Sequence, residues 1–384
     1  MTAPRRLADA TTMRVGGDVD HWIEATTRDE VVAAYADILD RDDEHLLLGG
    51  GSNTVASDEP YRGTVLRIAT RGIRTLPAAE RPHRPAGEDP PVDDAVVLRV
   101  EAGESWDALV ALAVEEGLTG IEALSGVPGW VGAAPIQNIG AYGQEVSSTL
   151  QGLELLAPGD DGELEARSVP ASELMLGYRD SAIKRGVLTG VVLSVDFRLR
   201  RSSDGRSQPV AYQQLATALG VELGTRVPLE DVRASVLALR ASKGMVLSDD
   251  PDSVSAGSFF TNPVVSARFA AGLPKDVPSW STAPEPRATV LPLDADTALP
   301  SLDRPVPRVK LSAAWLIEHA GIGRGFSLPG SRAAISSKHT LALTNRGGAT
   351  GEEIAELARF VQARVENQFG VHLVPEPVLV GLSL

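Results

Sequence analysis

At 384 residues the chain is longer than one hydrophobic core usually grows, so two or three domains are expected. Its 43% hydrophobic and 23% charged residues are ordinary for a globular protein and exclude a chain disordered throughout. A formal charge of -15 argues against nucleic acid or an anionic membrane as partner, and the lack of cysteine excludes disulfides, thiolate nucleophiles and thiolate metal sites.

The N-terminal "MTAPRRLADATTMRV" has two arginines but no apolar stretch behind them, and no 18-residue apolar run occurs, so a cytoplasmic, non-membrane protein is expected. "TTRDEVVAAYADILD" predicts a helix opened by a Thr27 to Glu30 capping box, with Val31, Val32, Tyr35, Ile38 and Leu39 on one face. "HLLLGGGSN" predicts a strand that ends in a glycine loop at 49 to 53. The proline-rich stretch from 74 to 95 reads as an exposed insertion between two lobes.

"ESWDALVALAVEEG" predicts a helix started by Ser105 and stopped by Gly117. "SGVPGWVGAAPIQNIGAYG" follows, with a glycine density too costly in backbone entropy for a helix or strand interior. "VVLSVDFRL", from Val191 to Leu199, alternates as a half-buried strand should. "LEDVRASVLALRASKG" is helical. The region from Ala267 to Pro307 is expected to loop out, and two helices follow, "LSAAWLIEHAG" and one beginning at a Thr350 to Glu353 capping box with Ile354, Leu357, Val361 and Val365 on one face. "VHLVPEPVLVG" predicts a final strand whose prolines confine it to an edge or bend. The expected division is a first lobe at 1–73, the insertion at 74–95, a second lobe at 96–205 and a C-terminal domain at 220–384, its last strand able to return to the first part.

The first glycine loop could cradle an anion with its backbone N–H groups. It lacks the Gly-Lys-Ser/Thr of a Walker loop, and no helix follows it directly as a Rossmann loop requires. Two such loops suit a dinucleotide pyrophosphate held between lobes. The six histidines have no metal-ligand spacing, so no metal is expected, and no G-x-S-x-G elbow supports acyl transfer. A cofactor-bearing enzyme remains.

"LLLGGGSN", "SGVPGWVGAAPIQNIGAYG", "GYRDSAIK", "GSFFTNP", "SSKHTLALTN" and "VHLVPEP" occur in the order and rough spacing of the UDP-N-acetylenolpyruvoylglucosamine reductases, and the chain resembles that family over about residues 10 to 380. The resemblance implies an α+β protein: a two-lobed FAD-binding domain of the vanillyl-alcohol-oxidase (PCMH) type followed by an α+β substrate-binding domain. It implies FAD and NADPH as cofactors, ping-pong hydride transfer, peptidoglycan-precursor synthesis, small-molecule partners and a monomer. FAD would be held by Gly49, Gly50, Gly51, Ser52 and Asn53 and by Ser125, Gly126, Pro128, Gly129, Gly132, Gln137, Asn138, Gly140 and Ala141. Arg179 matches the family's carboxylate-binding arginine, Glu376 the carboxyl group that polarises the same carboxylate, and Ser258 the proton donor to carbon. Tyr178, Tyr212, Lys243, Asn262 and His339 match substrate contacts. Two departures bear on these: "GMVLSDDPDS" follows Lys243 where the family has a short "PDP", and Thr261 stands where a lysine is common.

Without the resemblance, Arg179 reads first as a surface or structural ion pair, with Asp180 as a local distractor, and Glu376 as a solvent-facing residue at a strand end. Two other readings stay open on sequence: a flavin oxidase of sugar alcohols or lactones, and a non-catalytic sensor of a UDP-sugar.

Overall fold

The computed structural model of the protein describes residues 6–77, 95–282 and 307–384. The first lobe runs β1 (Val19–Ala25), α1 (Arg28–Asp40), β2 (His45–Leu48), β3 (Thr54–Ala56) and β4 (Tyr61–Ile68), with β1 and β2 flanking β4 in a parallel sheet. The Thr27–Glu30 capping box is formed in full and satisfies backbone N–H groups that the helix itself cannot pair. The buried face of α1 is Val31, Ala34, Tyr35 and Ile38, whereas Val32 and Leu39 are exposed. At about 100° per residue, Ala34 falls inside the stripe while Val32 and Leu39 fall beside it, which corrects the sequence expectation.

The second lobe contains β5 (Ile73–Thr75), β6 (Ala95–Glu101), α2 (Trp106–Glu115), β7 (Leu118–Thr119), the small hairpin β8 (Gly140–Ala141) and β9 (Gln144–Glu145), then β10 (Leu150–Pro158), β11 (Leu164–Pro170) and β12 (Val191–Arg201). Its antiparallel sheet has the order β11-β10-β12-β6-β5. The insertion thus begins with a paired strand, and its residues 78–94 lie outside those described.

β12 is not half-buried as its alternation predicts. Its apolar face joins the main core, and Ser194 and Asp196 on the other face are also covered. Arg99 grips Asp196 through two hydrogen bonds of 2.7 and 2.8 Å, Ser194 donates to Glu154, and Arg28 from α1 bonds Glu101 and Glu154. Each buried carboxylate is paired, which is what makes its burial tolerable, and the network fastens the two lobes together.

The remainder runs α3 (Gln213–Leu219), α4 (Leu229–Ser242), β13 (Val264–Ser266), α5 (Ala267–Ala270), β14 (Ser279–Ser281), β15 (Arg308–Leu311), α6 (Ala313–His319), β16 (Ala333–Ile335), β17 (Leu343–Asn345), α7 (Gly351–Phe369) and β18 (Val378–Val380). The helices α3 and α4 share an apolar cluster with Ala123 of the second lobe. The stretch from Ala267 does not simply loop out: it carries α5 and β14, and β14 pairs with β15 in a three-stranded sheet. Its residues 283–306 lie outside those described.

The capping box at Thr350 starts α7, which buries Ile354, Leu357, Val361 and Val365 in a core shared with Phe259, Phe260 and, from the N-terminal region, Met13, Val15 and Val55. The final strand β18 pairs in parallel with β3, so the chain returns to the first lobe and sets residue 376 beside the glycine loop. No helix among the described residues is long and apolar enough to cross a membrane.

Candidate active site

The two glycine loops close on each other in order. Asn53 donates through Nδ2 to Gln137 Oε1 at 2.8 Å and to the Glu376 carbonyl at 3.1 Å, and Ser52 Oγ donates to the Pro128 carbonyl at 3.1 Å. Further along, a Cβ on Gly50 would come within 3.0 Å of Gly129 Cα and 3.1 Å of the Trp130 ring. Gly129 has φ +116°, and a Cβ there would lie 2.6 Å from Ser52 Oγ. Only glycine permits this approach, and the result is a cavity lined by Gly49 to Asn53 on one side and by residues from Pro128 to Ala141, Trp130, Ile136 and Gln137 among them, on the other.

One buried cation points to what such a cavity takes. Arg240 on α4 is 8% exposed, its Nε and Nη2 donate to the carbonyls of Gly126 and Met245, and no carboxylate among the described residues forms an ion pair with it. Burial pushes its pKa down. A guanidinium that reaches a glycine-walled cavity with only carbonyl partners suits the phosphates of a dinucleotide. Of the residues expected on the cofactor, Gly49 to Asn53, Pro128, Gly129, Gln137, Gly140 and Ala141 line the cavity. Ser125 is buried with its hydroxyl on the Glu122 carbonyl, Gly126 meets Arg240, Gly132 packs on Ala102, and Asn138 lies beneath Arg179.

Arg179 stands on the wall of the same cavity, in a left-handed conformation with φ +54°. Its Nη1 donates to the Asn138 carbonyl at 3.2 Å and its Nη2 to the Gly140 carbonyl at 2.5 Å. Gly140 lets it in: a Cβ there would be 3.1 Å from Nη1. Asn138 is fixed in turn, donating to the Gly177 carbonyl and accepting from Ser147 N. Arg179 Nε is 3.3 Å from Glu376 Oε1, an ion pair too poorly aligned for a hydrogen bond, so the buried Nε–H stays unpaired. Asp180 is no competitor, since it pairs with Arg185.

Glu376 does not face solvent. Burial pushes its pKa up, and the positive charges of Arg179 and Lys184 pull it part of the way back. Its backbone N–H donates to the Phe259 carbonyl at 2.8 Å, Thr261 N donates to Val374 O, and Phe259 N to Leu341 O. These bonds hold the segment carrying Ser258 against residues 374–376. Phe259 and Phe260 are both buried, edge to face at 5.1 Å. Ser258, half-buried on the cavity wall, has no side-chain hydrogen bond to any described residue.

The expected nucleotide contacts divide into two groups. Tyr178 and Asn262 line a neighbouring cavity, the tyrosine hydroxyl accepting from Asn262 N at 3.3 Å with Lys310 over its ring. Tyr212 is edge-on to Tyr142, and Lys243 reaches Gln214 Oε1 at 2.8 Å and lies 5.6 Å from the Tyr142 ring. The residues inserted after Lys243 turn back at once, Met245 N donating to the Arg240 carbonyl. His339 has its pKa pushed down to about 4, first by burial and then by Lys243, Arg324 and Arg240. Tyr142, Lys184, Arg240 and Arg324 were not singled out by sequence. Lys184 ends the quoted "GYRDSAIK", but Arg240 reads there only as part of an amphipathic helix.

A cavity between two glycine loops with a half-buried arginine–carboxyl pair on one wall fits the class that the comparisons give, an FAD-dependent oxidoreductase: residues 19–166 match the family model described as FAD binding domain. Residues 250–380 match the model described as UDP-N-acetylenolpyruvoylglucosamine reductase, C-terminal domain. The chain is 55% identical to the UDP-N-acetylenolpyruvoylglucosamine reductase of Leifsonia xyli subsp. xyli, the match covering 100% of both, and 45% identical to that of Saccharopolyspora erythraea, covering 100% of this chain and 96% of the relative. It belongs to the UDP-N-acetylenolpyruvoylglucosamine reductase family. The crystal structure of the reductase from Thermus caldophilus shares the fold, with a TM-score of 0.59 and 23% identity over 98% of this chain and 97% of that one.

Proposed function

We propose that the protein takes hydride from NADPH onto bound FAD and delivers it to the enolpyruvyl group of UDP-N-acetylenolpyruvoylglucosamine, forming UDP-N-acetylmuramate. The observation that carries this reading is the half-buried Arg179–Glu376 pair, with Ser258 on the same cavity wall. When bound, FAD supplies the hydride, which adds to the methylene carbon. The electron pair of the double bond then moves to the adjacent carbon and into the carboxylate, raising the negative charge there from one to two.

Arg179 meets that charge. Its position is set in advance by the Asn138 and Gly140 carbonyls, so no reorganisation is needed as the charge grows. Glu376, whose pKa burial pushes up against the pull of Arg179 and Lys184, donates a hydrogen bond to the carboxylate when it carries its proton. Ser258 gives its hydroxyl proton to the carbon, completing the addition of H⁻ and H⁺, and regains a proton from solvent. Lys243 and Arg324 beside a neutral His339 offer charge to the diphosphate of the nucleotide. NADPH and the sugar nucleotide occupy the cavity in turn.

The test is anaerobic. Purified protein carrying FAD should lose its yellow colour with NADPH and regain it with the enolpyruvyl nucleotide. Re-oxidation by air but not by the nucleotide would select the oxidase reading instead.

A further inference from the structure

Arg179 is not the only cation at the reacting carboxylate. Lys184 lines the same cavity wall as Arg179, Ser258 and Glu376, and it also lines the adjacent cavity that holds Tyr178 and Asn262. Its Nζ donates to the Arg179 carbonyl at 3.0 Å. Its backbone N–H donates to Ser181 Oγ at 3.0 Å, and that hydroxyl donates to the Ile136 carbonyl at 2.5 Å. The turn from residue 179 to 184 is tied to the second glycine loop at Arg179 and at Ser181. No carboxylate among the described residues lies in ion-pair contact with Lys184, so its charge is not consumed by the fold.

Charge counting gives that ammonium a task. Resting on the proposed reaction, the enolpyruvyl carboxylate enters with one negative charge and carries two after hydride addition. Glu376 brings no positive charge in either protonation state, and Arg179 matches only one of the two charges. We propose that Lys184 is a positioning and charge-matching residue for this reaction: its ammonium steadies the left-handed Arg179 turn through the carbonyl and supplies the second positive charge that stabilises the dianionic adduct. Lys184 is exposed at the cavity rim, and a cation there still acts more strongly on the dianion than on the incoming monoanion, which is the condition for accelerating the step.

The charged groups facing Glu376 are Arg179 and Lys184, with Tyr178 as a further titratable neighbour. Removing Lys184 therefore frees the carboxyl to hold its proton to higher pH, a change that loss of packing alone does not produce.

The experiment compares the FAD-loaded Lys184→Met and Lys184→Arg variants with the parent protein in the two anaerobic half-reactions. In Lys184→Met, flavin reduction by NADPH should stay within about twofold, while re-oxidation by the enolpyruvyl nucleotide should slow by about 10- to 100-fold, the scale of losing one preorganised charge. The alkaline limb of the re-oxidation rate should move to higher pH, and Lys184→Arg should recover most of the rate. The inference is overturned if the limb does not move, if the arginine variant is as slow as the methionine one, or if both half-reactions slow equally. Failure of the proposed function has a different signature: the parent protein itself would not be re-oxidised by the nucleotide.

Discussion

The cofactor cleft and the carboxylate corner meet at Asn53, which bonds Gln137 in one and the Glu376 carbonyl in the other, yet they are made of different materials. From Gly49 to Asn53 and from Pro128 to Ala141 the wall is built from two glycine loops, brought close where Gly50 and Gly129 lack side chains. The corner gathers Arg179, Ser258 and Glu376 from three distant segments; Arg179 and Glu376 bond other segments' carbonyls directly, and Ser258 is placed through the backbone bonds of its neighbour Phe259. The glycine-loop wall tolerates changes that keep its glycines. A side-chain corner fails one residue at a time, and it fails in the half-reaction that it serves.

That contrast can be broken most severely at Arg179. Lysine keeps the charge but cannot span the Asn138 and Gly140 carbonyls while meeting a carboxylate. Arg179→Lys should slow re-oxidation by the enolpyruvyl nucleotide by about 10²–10³-fold and leave flavin content unchanged, measured by stopped-flow absorbance. Equal loss of bound flavin would mean that corner and cleft are not separable.

His339 sharpens the account from outside both regions. Its folded pKa of about 4 lies below the ordinary 6.5, so the unfolded chain binds the proton first as pH falls. Stability should therefore be fully present above pH 6.5 and decline toward pH 4, by an amount on the order of 3 kcal/mol. Urea unfolding across that range should show the decline in the parent protein, and His339→Gln should flatten it.

The cleft itself is tested at Gly129. Alanine there must adopt φ +116° with its Cβ against Ser52, a strain of about 1–3 kcal/mol. FAD affinity should weaken by about 5- to 150-fold, read by flavin fluorescence on titration, with the two half-reactions little altered once FAD is saturating.

How far each region could be read from sequence follows from what builds it. The glycine loops were legible because missing side chains leave a compositional mark, and α1, α2 and α7 were legible through their caps and periodicity. The covered polar face of β12 was not, since Arg28, Arg99 and Glu154 reach it from other elements. The trio was placed through resemblance, while Arg240 and Arg324 escaped notice because nothing local marks them: Arg240 sits on an ordinary amphipathic helix although it is buried, and Arg324 is exposed on a glycine-flanked turn. Lys184 was in a quoted motif but had no assigned task until its bond to the Arg179 carbonyl was seen.

The most direct test of the central claim, that Ser258 protonates carbon from a corner of the flavin cavity that serves only the second half-reaction, is anaerobic stopped-flow on Ser258→Ala. The account predicts flavin reduction by NADPH within about twofold of the parent and re-oxidation by the enolpyruvyl nucleotide slowed by at least about 10²-fold. Unchanged re-oxidation would contradict it.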